Sequence, residues 1–153
     1  MAKPKTTPLH LVKLCVGVNH PRQLLQWEEK LAKRGVRRED SHWTRQHPKR
    51  AEQILAGGSL YWVIDGEIRV RHTILRLDEV KDKEGQRFCA IVYNPTVILV
   101  EPRPRRPFQG WRYLPDEDAP ADLPRQEAAR RLLLEEENLP RRLRKDLKDL
   151  GLV

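Results

Sequence analysis

A β-hairpin is predicted by Ser59-Leu-Tyr-Trp-Val-Ile-Asp-Gly-Glu-Ile-Arg-Val-Arg71, and the expected fold is built outward from it. Two apolar runs flank Asp65-Gly66, a pair that favours the two-residue type I′ turn. Arg69 and Arg71 are predicted to project from one face of the second strand. The apolar set comprises Leu60, Trp62 and Ile64 on the first strand and Ile68 and Val70 on the second.

Beyond His72 the second strand changes phase by one residue. Strict alternation would place Ile74 in the apolar row, but the apolar residues that continue the row are Leu75 and Leu77. Such a change inside a long strand is typical of a β-bulge, which bends the strand. We therefore expect an α+β fold, with a small bent β-barrel or a strongly curved mixed sheet and flanking helices.

The rest of the chain supplies further strands and helices. Residues 1–8 are predicted to be a flexible tail, and residues 9–153 a single globular domain with C-terminal helices from about residue 124. Proline at a helix start and glycine after a helix end give most of the boundaries. Strands are predicted at Leu9–Gly17, His42–Arg45, Arg87–Tyr93 and Thr96–Val100, and helices at Pro21–Gly35, Pro48–Ala56, Pro124–Asn138 and from Pro140.

Composition limits the classes of function. The net charge is +8, and residues 1–50 hold twelve basic against four acidic side chains, a difference of +8. No apolar run approaches the roughly 20 residues that span a bilayer, so we expect no membrane partner and a cytoplasmic location. Cys15 and Cys89 are far apart, and the five histidines lack metal-ligand spacing. We predict no catalytic set, no metal site and no cofactor.

The chemistry is concentrated in Glu101-Pro-Arg-Pro-Arg-Arg-Pro-Phe-Gln-Gly-Trp-Arg-Tyr-Leu114, here called the strap. Its prolines favour extended backbone, and arginines beside aromatic rings suit phosphates and bases. The alternative is a hydrophobic strap whose arginines are only solvated. The predicted contacts to nucleic acid or another anion are Lys49, Arg50, Arg69, Arg71, Arg103, Arg105, Arg106, Gln109, Trp111, Arg112 and Tyr113, with Lys49 and Arg50 at a helix N-terminus.

Three stretches carry a resemblance: His10–Gly17, Pro48–Val63 and the strap. They resemble an uncharacterised bacterial family, a conserved domain of unknown function known mainly from alphaproteobacteria. More loosely, the helix, Gly57-Gly58 and the bent hairpin are similar to the central unit of PUA-like barrels. That group includes the ASCH and EVE domains, and the resemblance implies binding of RNA or modified bases. The charged ASCH signature is not recognisable here, so no family residue is carried over.

Three functions remain open from the sequence. The first is a non-catalytic module that binds RNA, in preference to DNA, or a nucleotide-like anion through the strap. The second is a protein-interaction module that presents the strap to an acidic partner. The third is an enzyme acting on an anionic small molecule with the help of His42, His47 or His72.

Overall fold

The hairpin lies at the centre of one large sheet. The computed structural model describes residues 7–35 and 39–137, and this part of the chain forms seven strands and three helices. In chain order these are β1 (Leu9–Leu14), α1 (Pro21–Arg34), β2 (Asp40–Thr44), α2 (Ala51–Leu55), β3 (Ser59–Ile64), β4 (Glu67–Lys81), β5 (Arg87–Tyr93), β6 (Ile98–Pro104), β7 (Trp111–Pro115) and α3 (Arg125–Glu137). Two predicted segments, most of the tail at residues 1–8 and the helix from Pro140, lie outside the described residues.

The turn between β3 and β4 is the predicted one. Asp65 and Gly66 have φ angles of 51° and 81°, and a type I′ turn needs positive φ at both central residues. Ile64 pairs with Glu67 directly across it. The hairpin prediction is therefore confirmed down to its turn.

The sheet is mixed, curved and open. Its strand order is β2-β5-β4-β3-β1-β7, and β6 pairs with β4. β1 is parallel to β3, whereas the other paired strands are antiparallel. The α+β class and the strongly curved mixed sheet are confirmed. The closed barrel is wrong, because β2 and β7 end the strand order without pairing to each other.

Two irregularities bend β4. The register against β5 shifts between Ile74 and Arg76, which confirms the bulge predicted beyond His72. The residue left over is Leu75, whose side chain is 43% exposed instead of being in the apolar row. A second shift, at Arg69, was not predicted.

The shift at Arg69 changes which apolar residues share a face. Val70 belongs to one core cluster and Ile68 to another, although regular alternation would place them together. The larger cluster contains Leu9, Leu11, Cys15, Ile54, Leu60, Trp62, Ile64, Val70, Ile74, Cys89, Ile91 and Tyr93. The smaller contains Val12, Tyr61, Val63, Ile68, Val100 and Leu114. The curved sheet therefore has apolar residues packed on both faces.

The start and end of α1 follow the predicted boundary signals, whereas α2 is shorter than predicted. α1 starts at Pro21 after His20, which forms a capping box with Gln23, and it ends at Gly35 with φ of 63°. The Trp27 side chain on α1 is 44% exposed. α2 has only five residues, fewer than predicted, and Leu55 at its end is also exposed. No helix in the described ranges is both long and apolar enough to cross a membrane.

Gly58 joins α2 to the sheet through a close backbone approach. Its amide donates to the Ile54 carbonyl at 2.7 Å, and its carbonyl accepts from the Ile74 amide at 3.1 Å. A Cβ atom at this position would overlap the Leu9 carbonyl oxygen and come within 2.6 Å of the Ile54 oxygen. Only glycine therefore allows α2 to pack this closely on β1 and β4.

Candidate functional site

The strap is built from two strands and a loop. Its first residues complete β6, where Pro104 pairs with Glu67 of β4, and the Arg105 amide donates to the Gly66 carbonyl at 2.9 Å. Its last residues form β7, which pairs with β1. The strand predicted at Thr96–Val100 thus begins two residues later and continues into the strap. The strap runs from the β4 side of the sheet to the β1 side past the hairpin turn.

Phe108 anchors the loop of the strap. Its ring packs against the smaller core cluster. The Cζ atoms of Arg105 and Arg112 lie 4.9 Å and 5.1 Å from the ring centroid, within cation–π distance. Arg112 also donates to the Gln109 carbonyl at 2.9 Å. Packing therefore fixes two guanidinium groups at the surface of the loop.

β7 brings a second part of the chain to the strap. Trp111 and Tyr113 meet edge to face at 4.9 Å, and both pack against the larger core cluster. The Trp111 indole donates to the Gln46 carbonyl at 2.9 Å, and the Tyr113 hydroxyl accepts from the Arg50 amide at 3.1 Å. The Arg50 guanidinium lies 5.5 Å from the Tyr113 ring. Arg50 and neighbouring Lys49 are therefore placed beside the strap.

The helix start predicted at Pro48 lies too early in the chain, so Lys49 and Arg50 precede the helix instead of forming its first turn. α2 begins at Ala51, its N-cap Arg50 makes no side-chain capping bond, and the helix contains five residues. So short a helix has almost no aligned dipole to attract an anion. The two cations lie at the strap for a tertiary reason, the contact between Arg50 and Tyr113.

The predicted arginines divide into neutralised and free charges. Arg69 pairs with Glu135 at 2.6 Å, and Arg71 makes a bidentate pair with Asp122 at 2.8 Å in both bonds. Among the side chains described, those of residues 7–35 and 39–135, no carboxylate lies within ion-pair distance of the other predicted cations, although Arg103 donates to the Asp118 carbonyl. These cations are Lys49, Arg50, Arg103, Arg105, Arg106 and Arg112.

An exposed aromatic group that the sequence reading missed lies close to this surface. Trp43 on β2 is 46% exposed, and its ring centroid is 5.7 Å from that of Phe88 on β5. The Cζ atom of Arg45 lies 6.0 Å from the Phe88 centroid. We call these three residues the aromatic ridge. Gln46, which follows Arg45 in the chain, accepts the hydrogen bond from the Trp111 indole. This bond connects the end of the ridge to the strap.

A shallow pocket of about 380 Å³ lies where residues 116–123, the crossing segment, pass over the sheet. His10 accepts the Ser59 amide at Nδ1 and contacts Asp116 through Nε2 at 2.8 Å. Arg71 donates to Ser59 Oγ at 2.9 Å as well as to Asp122, whose pKa this pair lowers. Because these polar groups bind one another, the cluster holds the crossing segment against the sheet.

A second, more enclosed cavity of about 240 Å³ lies on the other core. Its inner wall is a chain of rings: Tyr93 stacks on His72 at 4.5 Å, and the Trp62 indole donates to His72 Nδ1 at 2.9 Å. Because Nδ1 accepts, the proton of neutral His72 is on Nε2. The cavity lining consists of Cys15, Val16, Leu24, Trp27, His42, Trp62, His72, Tyr93 and Pro95.

Burial makes the cavity uncharged. It lowers the pKa of His42 and of His72 to about 4 each, and it raises the pKa of the Cys15 thiol to about 11. At neutral pH both imidazoles are therefore unprotonated and the thiol keeps its proton. A protonated thiol is a poor nucleophile, so the lining favours binding over covalent chemistry.

Fold and surface together define a mixed α+β protein with an open, curved sheet and a basic, aromatic strap. The chain belongs to the family described as "Protein of unknown function (DUF1489)", whose model matches residues 11–153. This confirms the resemblance to an uncharacterised family with a domain of unknown function. Comparison with curated proteins and with solved structures gave no match.

Proposed function

We propose that the protein is a non-catalytic RNA-binding module whose interface is the strap with Lys49, Arg50 and the aromatic ridge. One contrast carries the proposal. Several arginines on other surfaces are paired with carboxylates, such as Arg76 with Glu39 and Asp78, whereas the strap cations have no carboxylate partner among the side chains that the structure describes. A concentration of unneutralised cations attracts a polyanion and is costly to maintain without one.

The arrangement of rings favours a single strand over a duplex. The guanidinium groups of Arg105 and Arg112 lie over the Phe108 ring, and their remaining N–H groups can donate to phosphate oxygens. The exposed ring of Trp43 offers a face on which an unpaired base can stack, and bases in a duplex are not available for such contacts.

Two finer parts of the proposal come from the sequence resemblance. The curved unit formed by β1, β3, β4, β6 and β7 is proposed to correspond to a PUA-like core that has remained open. An alphaproteobacterial origin is proposed from the family resemblance. A cytoplasmic location is proposed because the ligand would be cellular RNA. The RNA interface itself does not depend on either.

A salt titration of RNA binding tests the proposal. Binding of a fluorescent single-stranded RNA is measured by anisotropy over a range of salt concentrations, for the parent protein and for Lys49→Ala/Arg106→Ala. Neither side chain makes a hydrogen bond or ion pair within the described ranges, so the fold is unaffected. Each lost phosphate contact lowers the magnitude of the salt slope by roughly 0.7 for a single strand, so we expect a decrease of about 1.4.

The matched control is Lys33→Ala/Arg130→Ala, which removes the same charge from two exposed helix positions. It should leave the slope unchanged. Failure of the parent protein to bind RNA at low salt, or an equal effect of both double variants, contradicts the proposal. Stoichiometric, nuclease-resistant capture of an acidic protein in place of RNA would identify the strap as a protein-binding surface instead.

A further inference from the structure

We propose that the cavity between α1 and the sheet is a binding site for a small, uncharged, planar heterocycle, separate from the RNA interface. Three observations support this ligand class: the walls are aromatic, the lining carries no charge, and one polar ring in the wall has no hydrogen-bond partner in the described residues.

The aromatic rings of the walls suit a flat ligand. His42 and Trp62 meet edge to face at 5.5 Å, and Trp62 and Tyr93 do so at 6.4 Å. Trp27 closes one side from α1, where its indole is held by Asp40 at 2.9 Å. Stacked and edge-on contacts of this kind favour aromatic ligands over aliphatic ligands of the same volume.

The absence of charge selects against ions. All nine lining side chains are neutral at pH 7, since the pKa values of His42 and His72 are lowered and those of Cys15 and Tyr93 are raised. The Asp40 carboxylate is not part of the lining and already accepts from Trp27 and Tyr93. An ionic ligand would lose its hydration without gaining a counter-charge from the lining.

His42 supplies the polar recognition. The Trp62 indole and His72 Nδ1 satisfy each other, but the His42 ring makes no hydrogen bond to any residue in the described ranges. A neutral imidazole offers one donor and one acceptor. It therefore matches a heterocycle that carries both an N–H and a ring nitrogen or carbonyl on one edge.

The volume limits the size of the ligand. Cavities for drug-sized molecules are roughly 300–1,000 Å³, and this one is about 240 Å³. This volume accommodates one ring or two fused rings without large substituents.

The test uses the tryptophans as reporters. The chain has four, and two of them, Trp27 and Trp62, line the cavity. Indole N–H signals of ¹⁵N-labelled protein are followed by NMR during titration with uracil and with adenine, and Trp43→Phe and Trp111→Phe identify the two external signals. We expect at least one probe to shift both cavity signals saturably, while benzoate and benzamidine, planar ions of similar size, leave them in place.

Four variants complete the test. His42→Ala should weaken binding about tenfold, the value of one good hydrogen bond, whereas His47→Ala, which changes an exposed histidine outside the lining, should not. Leu24→Phe fills the space from α1 and should abolish the shifts, with the external indole signals reporting an intact fold. The strap variant Lys49→Ala/Arg106→Ala should bind the heterocycle normally. Unmoved cavity signals with both probes, equal shifts with benzoate, or equal affinities of the two histidine variants would overturn the proposal.

Discussion

Acidification should destabilise this protein through His72 before its carboxylates titrate. The ring is 4% exposed, stacked on Tyr93 and hydrogen-bonded by the Trp62 indole. Desolvation lowers its pKa from 6.5 to about 4, despite the opposing effect of Asp40. Lowering the pH from about 7.5 to about 5 therefore charges the imidazole in the unfolded chain but not in the folded one.

Proton linkage gives the sign and the size of this change in the free energy of unfolding. As the pH falls to 5, the excess of protons bound at His72 by the unfolded state grows to nearly one, so the free energy of unfolding rises with pH over this interval. Full stability is present above the unfolded pKa of 6.5, and it is lost as the pH falls towards the folded value. Integrated from pH 7.5 to pH 5, the loss is about 2 kcal/mol. His42 adds to it in the same direction, because burial also lowers its pKa.

Urea unfolding followed by circular dichroism at the two pH values measures this loss. His72→Gln is the informative variant, since its amide oxygen can still accept from Trp62 but does not titrate. We expect it to be less stable than the parent at pH 7.5, and to lose about 2 kcal/mol less on acidification. If parent and variant lose the same free energy between the two pH values, His72 is not held neutral by burial and the reasoning fails.

Two further predictions concern the backbone and the crossing segment. Gly58→Ala should cost about 3–5 kcal/mol in urea unfolding, because the new Cβ meets two backbone oxygens and weakens two hydrogen bonds. Gly85→Ala, with no neighbour within 4 Å and a φ of 82°, should cost only about 1–2 kcal/mol, and equal losses would contradict the steric argument. Arg71→Ala should cost about 1–2 kcal/mol and make residues 116–123 a site of limited proteolysis, since it leaves Asp122 without its bidentate partner. Arg130→Ala is the control. If Arg71→Ala gives the same digestion pattern as this control, the pair of Arg71 and Asp122 does not hold residues 116–123 in place.

The arginines illustrate how far residue type can predict a site. The strap was recognisable from its composition, and the structure leaves its cations without carboxylate partners in the described part of the chain. Arg69 and Arg71 belong to the same compositional class, yet each is neutralised by a carboxylate more than fifty residues away. A sequence shows which side chains are charged but not which distant charge reaches them. Arg50 came to the strap for the same kind of reason, a contact with Tyr113.

The local features follow from short stretches of sequence: the turn at Asp65-Gly66, the limits of α1 and the bulge after His72. Each depends on backbone preferences or alternation within a few residues, which neighbouring side chains impose directly. The parallel pairing of β1 with β3 and the open edges of the sheet arise from tertiary contacts. Tertiary packing also assembles the cavity from α1, β2, β3, β4 and β5 and from the segments that follow β1 and β5. These features depend on contacts between residues far apart in the chain. The burial of both faces of one curved sheet requires all of its strands and helices together, so local preferences do not determine it.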